Sequence, residues 1–500
     1  MGILLSIFIF SPLLGILVLA LLPKGREKTA RLLGIVTTLI PLACALILYG
    51  SYLAGKDFAS FTEKITWIQF GRFEGLPDGS FSILYELGID GFSFVMMLLT
   101  AVLATLAAVT AASFIKEAPR SFYMLLLLLE IGMLGVFAAR NLLLFFVFFE
   151  LTLPAMFLLV GKWGKFESEK AAYSYLIYNG IGSAILLIVF TILFARTGTT
   201  DIASLRTILA AGESPIGPIS GSMQTALFVA MLIAFGIKLP VLPLHRWMVN
   251  VHVQAPPAVV MLHAGVLLKI GAYGLIRFGI GIFPEQFKKF AVLIAIFGVV
   301  NLLYGAFLAL VQTDFRKVLA YSSISHMGIV LIGLAALNEA GIKGAIFQVV
   351  SHGLIAALLF FLLGIMEDRL GTSELQRIGG LAKSAPLFSG FLLASAMASL
   401  GLPGMSGFVS EFLAFLGLFE SMPVVAAVGT LGIIITAAYL LRAVLGMTFG
   451  QEKGAMKADI QGVEFIPVLV LLFFILVIGV MPDVLGGPLS STLQSLGIRG

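Results

Sequence analysis

Six formally charged side chains stand inside apolar stretches of this chain, where charge is costly: Glu130, Glu150, Lys238, Lys269, Glu411 and Arg442. Three histidines, His263, His326 and His352, join them. A Lys, Arg or Asp at the centre of a membrane helix costs roughly 2.5–3.5 kcal/mol on insertion scales. Such a group persists either as half of a structural ion pair or because it binds and releases something within the membrane. One isolated charge fits both roles equally; six charges with three histidines favour function. Glu130 and Arg442 are the best candidates for a structural role, and His263 for a polar helix contact. The chemistry open to the others is proton transfer. Burial disfavours the charged form of a lysine and a nearby carboxylate favours it. A lysine whose acidic neighbour is alternately screened and unscreened is therefore a gated proton carrier. Glu150 and Lys238 are the candidate pair, with Lys269 the next carrier. His326 offers an imidazole, which titrates in the physiological range, and Glu411 is the last group before an exit.

The elements that must hold these groups are membrane helices. Apolar residues make up 60% of the 500 residues and charged residues 11%, with a mean hydropathy of +1.09. Water-soluble domains carry about 25% charged residues, so too little polar surface is present here for a soluble protein. Stretches of about 20 apolar residues cross a bilayer as helices, and fourteen are predicted: 3–22, 31–54, 91–115, 121–139, 141–161, 171–195, 223–244, 257–281, 290–310, 317–337, 342–366, 386–418, 423–447 and 464–482. The fold class is an all-α polytopic membrane bundle. The first span lacks the basic flank and small-x-small site of a cleaved signal. Between spans, 55–90 and 196–222 are the longest polar stretches, and the weak alternation of 64–70 predicts a small hairpin.

Spacing adds an internal repeat. Glu150 precedes His326 by 176 residues, while Lys238 precedes Glu411 and Lys269 precedes Arg442 by 173 each. Each pair lies five spans apart, and an odd number of spans inverts the second copy in the membrane. The predicted units are 1–120 (three helices with an external loop), 121–281 and 290–447 (two inverted five-helix repeats), and 448–500 (a last helix and tail). Pro240 and Pro243 follow Lys238, and Pro403 and Gly404 precede Glu411, so spans seven and twelve are predicted to break near mid-membrane. Carbonyls freed beside Lys238 would stabilise its ammonium.

Orientation follows from basic loops. With both termini outside, seventeen Lys and Arg, Lys24 among them, fall on the inner side and eleven, Arg499 among them, on the outer. The net charge of +5 is scattered over short loops and does not point to nucleic acid. The single cysteine, Cys44, excludes an internal disulfide framework, a thiolate zinc site and a cysteine-ligated iron–sulfur cluster. No phosphate-binding, dinucleotide or nucleophile motif is present, and no metal is required. The rival from another class is a membrane haem protein with His326 and His352 as axial ligands. Against it, His326 sits in the polar run YSSISHMG, which suits a hydrated relay.

At these residues the chain resembles the antiporter-like subunits of respiratory complex I. The motifs are LGIDGFSF (87–94), FFVFFELTLPAMF (145–157), IKLPVLPLHRW (237–247), QAPPAVVMLHAGVLLKIGAYGLIRF (254–278), TDFRKVLAYSSISHMG (313–328), FQVVSHGL (347–354) and GLPGMSGFVSEF (401–412). The resemblance implies fourteen helices, two inverted repeats, and a proton path through Glu150, Lys238, Lys269, His326, His352 and Glu411. Glu411 bears on the paralogue, because the other antiporter-like chains usually carry lysine there. It implies no cofactor in this chain: NADH, FMN, iron–sulfur clusters and quinone would belong to partner subunits. Other membrane-arm subunits, paralogues included, would be the partners, in the plasma membrane of a bacterium. Mrp-type sodium/proton antiporters and membrane-bound hydrogenases share this pattern and are the alternative. One departure stands at the inner end of span seven. After Pro243-Leu244-His245 the family commonly continues Gly-Trp-Leu-Pro-Asp-Ala-His, whereas this chain reads Arg246-Trp247-Met248-Val249-Asn250-Val251-His252.

Overall fold

The computed structural model describes residues 3–23, 25–72, 80–212, 214 and 216–497; Lys24 and Arg499 lie outside them. Its membrane helices are α1 (Leu4–Leu21), α2 (Glu27–Leu53), α3 (Gly91–Phe114), α4 (Pro119–Ala138), α5 (Leu142–Trp163) and α6 (Ser168–Thr197). Next come α7, in two pieces (Gly221–Lys238 and Arg246–Gln254), and α8 (Pro257–Ile280). They are followed by α9 (Pro284–Val311), α10 (Phe315–Ala336) and α11 (Glu339–Leu370). The last three are α12, again in two pieces (Pro386–Ser399 and Ser406–Ser421), α13 (Pro423–Thr448) and α14 (Phe465–Val480).

Thirteen helices among the described residues are long and apolar enough to cross a membrane. The fourteenth predicted span is α12, whose halves of 14 and 16 residues are each too short alone. Several helices outrun their predicted ends, α11 for example, because a helix continues past the hydrocarbon layer into polar residues. The prediction for 223–244 runs the other way: its helix stops at Lys238 and resumes at Arg246. Two further helices, Ile202–Ala211 and Asp483–Ser495, are short of a membrane crossing.

The bundle has a core and a rim. The spanning windows of α8 and α11 are wholly buried and those of α3 and α10 are 94% buried. By contrast, α13 and α14 are only 33% and 28% buried, leaving their apolar sides for the bilayer or for neighbouring chains. Small residues let core helices meet at backbone distance: a Cβ on Gly305 of α9 would lie 2.6 Å from Ser325 N of α10. Helix starts are closed by polar caps, Asn141 to Leu144 N–H, Asp314 to Arg316 N–H and Asn338 to Gly341 N–H.

The predicted hairpin exists as β1 (Thr62–Arg72) antiparallel to β2 (Ser80–Gly88). Arg140 N–H donates to Glu86 O and Asn141 Nδ2 to Leu84 O, which ties β2 to the start of α5. Glu63 of β1 accepts from Leu5 N–H and so caps α1. Where β2 passes into α3, Asp90 caps Ser93 N–H and pairs with Arg277 of α8, whose guanidinium lies over the Phe92 and Tyr273 rings. Backbone also packs tightly here, since a Cβ on Gly91 would lie 1.6 Å from Pro488 O.

Burial pushes the Asp90 carboxyl up, but the Arg277 guanidinium, with Arg140 and the Ser93 N–H, outweighs it and holds the group at about 2. A carboxyl depressed on folding stabilises the protein above its unfolded value near 3.9, and that contribution fades as pH falls toward the folded value. Asp90→Asn is therefore expected to cost about 2–3 kcal/mol at pH 7. In thermal unfolding of the purified protein in detergent, its deficit should shrink steadily as the pH drops from 4 toward about 2. A deficit independent of pH would refute the ion-pair account.

Candidate functional site

Both helix breaks are built around a charged residue. The first half of α7 ends at Lys238, and the chain crosses Pro240 and Pro243 before resuming at Arg246. A break in lipid exposes backbone groups that must find partners inside the protein. Trp247 Nε1 donates to Ile237 O at 3.1 Å. Asn301 of α9 accepts from Leu242 N–H at 2.7 Å and donates to Pro240 O at 3.3 Å. With those carbonyls taken, the expected contact between Lys238 and freed carbonyls does not form. The amine instead donates to Tyr175 Oη at 3.5 Å and lies 5.1 and 5.4 Å from the Phe149 and Tyr175 rings, a cation–π setting.

The second break runs through Gly401, Pro403 and Gly404, with Ser406 opening the next half-helix and bonded to Ser351 of α11 at 2.7 Å. Gly401 adopts φ +79°, and a Cβ there would lie 2.7 Å from Glu411 Oε2. The backbone conformation thus favours glycine, and a side chain there would also push the Glu411 carboxylate aside.

Between the breaks lies a row of buried titratable side chains. Glu150 of α5 acts electrostatically on Lys238 but does not contact it, and its Oε1 is buried without a hydrogen-bond partner. Beyond Lys238, the Tyr175 ring meets His263 at 6.0 Å between centroids. His263 Nδ1 shares a 2.9 Å hydrogen bond with His252 Nε2. One turn and a half along α8, Lys269 sends its amine to Ala264 O and to His352 Nδ1, each at 2.7 Å. That carbonyl is available because α8 is π-helical over His263–Leu267, where Leu268 N–H reaches back to His263 O instead of Ala264 O.

His352 lies against His326, ring centroids 5.3 Å apart. His326 is held from both sides, Nδ1 to Gln348 Nε2 at 3.0 Å and Nε2 to Ser399 Oγ at 3.3 Å. Ser410 donates to Gln348 Oε1 and so fixes the amide, whose nitrogen then donates to His326 Nδ1. Glu411 Oε1 completes the row 3.6 Å from His326 Nδ1.

The structure thus brings the six residues singled out from the sequence into one row inside the helix bundle, in a different order and with additions. His352, rather than His326, is the neighbour of Lys269. His263, expected to be a passive contact, faces His252, and neither His252, Tyr175, Gln348, Ser399 nor Asn301 was singled out. Asn301 had a visible signal, a lone amide in the apolar run FGVVNLLYG. Arg442, paired by spacing with Lys269, is exposed on α13 and caps Leu310 O at the end of α9. Glu130 is fully buried with both oxygens unpartnered. The haem reading fails on space: both nitrogens of His326 are engaged, and the cavity beside His352 measures about 10 Å³.

Among the described residues, thirteen spanning helices and the two-piece α12, with breaks at buried charges and lysines, histidines and carboxylates strung between, define an antiporter-like ion-translocating membrane subunit. Residues 139–436 match the family described as NADH:quinone oxidoreductase/Mrp antiporter, transmembrane, and the chain belongs to that family. It is 34% identical to NADH-quinone oxidoreductase subunit M of Rhodobacter capsulatus, over 98% of this chain and 96% of the relative. It is 39% identical to NAD(P)H-quinone oxidoreductase chain 4 of a Synechococcus strain, over 96% and 90%. Among solved structures, it superposes on a chain of respiratory complex I from Thermus thermophilus with a TM-score of 0.83, at 30% identity, over 99% and 100%.

Gly401→Ala tests the second break. A side chain in this left-handed conformation costs on the order of 1–3 kcal/mol, and its Cβ displaces Glu411. The melting temperature of the purified protein should fall measurably. An unchanged melting temperature would show that the break relaxes without cost.

Proposed function

We propose that this chain is a proton-translocating membrane-arm subunit of an NADH:quinone oxidoreductase, moving protons along the row from Glu150 to Glu411. The observation that carries the reading is the Lys269–His352 contact of 2.7 Å midway along two buried helices, flanked by a titratable group at each helix break. Hydrogen-bonded nitrogens at that separation can pass a proton directly. Family membership and the near-complete overlap with subunit M and chain 4 relatives support the assignment to the oxidoreductase.

Each residue has a task in this path. Glu150 sets the charge on Lys238 from a short distance, because opposite charges in a low-dielectric interior interact strongly. Any motion of α5 against α7 alters that influence. His263 and His252 bridge the space between Lys238 and Lys269, extending the proposed path beyond the six residues read from sequence. Lys269 exchanges a proton with His352, and His326 carries it toward Glu411. Gln348 and Ser399 orient His326 and bind no proton themselves. A single bridging water suffices for the hops without direct hydrogen bonds.

NADH oxidation and quinone reduction, with their FMN and iron–sulfur clusters, take place in partner subunits on this reading, and the response of this chain is conformational or electrostatic. The chain sits in a bacterial plasma membrane with both termini outside, beside paralogous antiporter-like subunits. Segments 121–281 and 290–447 form its inverted repeats. The second reading, a subunit of an Mrp-type antiporter, is supported by the shared family description and by a shared fold, and by no relative of comparable identity among those compared.

The test uses inverted membrane vesicles bearing the native complex, with NADH oxidation and lumen acidification followed together, with and without sodium. Lys238→Ala and Glu150→Ala should each lower pumping at least tenfold while the complex still assembles, the loss of one proton-transfer group typically costing about 10²-fold or more. Loss of sodium-for-proton exchange alone, with NADH oxidation untouched, would identify the antiporter instead. Near-normal pumping in both variants would exclude the pair as the gated site.

A further inference from the structure

At the end of the bundle that the charge bias assigns to the inner side, Arg316 opens α10 and is 5% exposed. Its guanidinium reaches three ways. Nη1 donates to Val253 O at 2.8 Å and Ala255 O at 3.3 Å, Nε donates to Glu367 Oε1 at 2.8 Å, and Nη2 pairs with Glu367 Oε2. Val253 and Ala255 end the second piece of α7, so the guanidinium caps carbonyls that a broken helix leaves unpaired. His252 is the residue just before Val253. Glu367 lies near the end of α11, the helix of His352, and is also held by Lys165 at 2.6 Å. The Arg316 backbone is itself fixed, its N–H donating to Asp314 and the Phe315 N–H to Ser373 O. Behind this cluster, Lys165 and Glu367 line a polar cavity of about 500 Å³, walled by Pro256, Pro257 and Gly364.

We propose that Arg316 is a positioning residue for proton transfer: by capping the second piece of α7 it holds His252 at hydrogen-bond distance from His263, and Glu367 holds the guanidinium in the orientation this needs. The inference rests on the proton path proposed above. Arg316 carries no proton in it, since a guanidinium stays charged at every accessible pH. Planarity is the reason for arginine. A lysine is a compact charge with three donors and cannot meet two carbonyls and both oxygens of a carboxylate together. Transfer between His252 and His263 depends on their separation, and a misplacement of about 1 Å costs on the order of 10²-fold.

In inverted vesicles bearing the assembled complex, Arg316→Ala should slow NADH-driven proton translocation about tenfold or more, with Arg316→Lys and Glu367→Gln intermediate. The solvent deuterium isotope effect on translocation should rise in all three, as the histidine transfer becomes limiting. A purely structural role would lower the amount of complex without changing the isotope effect of what remains. If Arg316→Ala does not assemble, Arg316→Lys and Glu367→Gln decide the matter. Wild-type translocation with an unchanged isotope effect in those two overturns the proposal. Lys238→Ala, run in parallel, separates the two ideas. If it is inactive while the Arg316 variants pump normally, only the positioning role falls. If it too pumps normally, the path itself falls.

Discussion

Inside a bilayer no backbone amide or carbonyl can turn to solvent, and this constraint shapes the whole molecule. An unbroken helix meets it unaided. A helix interrupted at mid-membrane meets it only when other segments supply donors and acceptors at the gap. Here Asn301 and Trp247 serve the gap in α7, and Ser351 meets Ser406 at the gap in α12. Those partners come from α9, α11 and the half-helix of α7 itself, so the polar seams fix how the central helices pack. The titratable row occupies the same seams because they are the places in the core where polar atoms already have polar company.

The row is also uneven. Lys269, His352 and His326 are held by short contacts, and the Gln348–Ser410 pair locks one ring in place. Glu150 and Lys238 are not in contact, and the lysine rests on aromatic faces. Tight contacts favour fast exchange of a proton between fixed neighbours. A gap bounded by a carboxylate and a cation over aromatic rings responds instead to small shifts of α5 and α6. On the proposed proton path, the two ends of the row differ in character, one suited to conduction and the other to control.

Much of the fold was legible in the sequence because the bilayer imposes a length and a polarity on every span. Pro240 and Pro243 beside Lys238 and the run Gly401-Leu402-Pro403-Gly404 before Glu411 announced the breaks, since clustered helix breakers disfavour a continuous helix. The single prolines Pro12, Pro41 and Pro154, by contrast, sit inside unbroken ones. What stayed hidden depended on rotation and approach between helices distant in sequence. Nothing in the run MLHAGVLLK reveals that α8 winds as a π-helix and so hands Ala264 O to Lys269. Nor could the ring pairings of His252 with His263 and of His352 with His326 be read before the packing was known. The spacing argument had a further limit. Equal offsets linked Lys269 with Arg442, yet one side chain is central and the other is exposed and caps the last turn of a neighbouring helix. Equal spacing along the sequence does not by itself put two side chains in equivalent surroundings.

The contact of Gly91 with Pro488 joins residues about four hundred positions apart, and Phe92 N–H donates to Thr492 alongside it. The start of α3, among the most deeply buried helices, is therefore finished by a segment that leaves the ribosome about four hundred residues later. The chain can insert its spans in order, but α3 cannot take its final seat until 483–495 arrives. The helix 483–495 acts as the closing piece of α3, and a translation product halted before it would carry an open seam beside the Asp90–Arg277 pair.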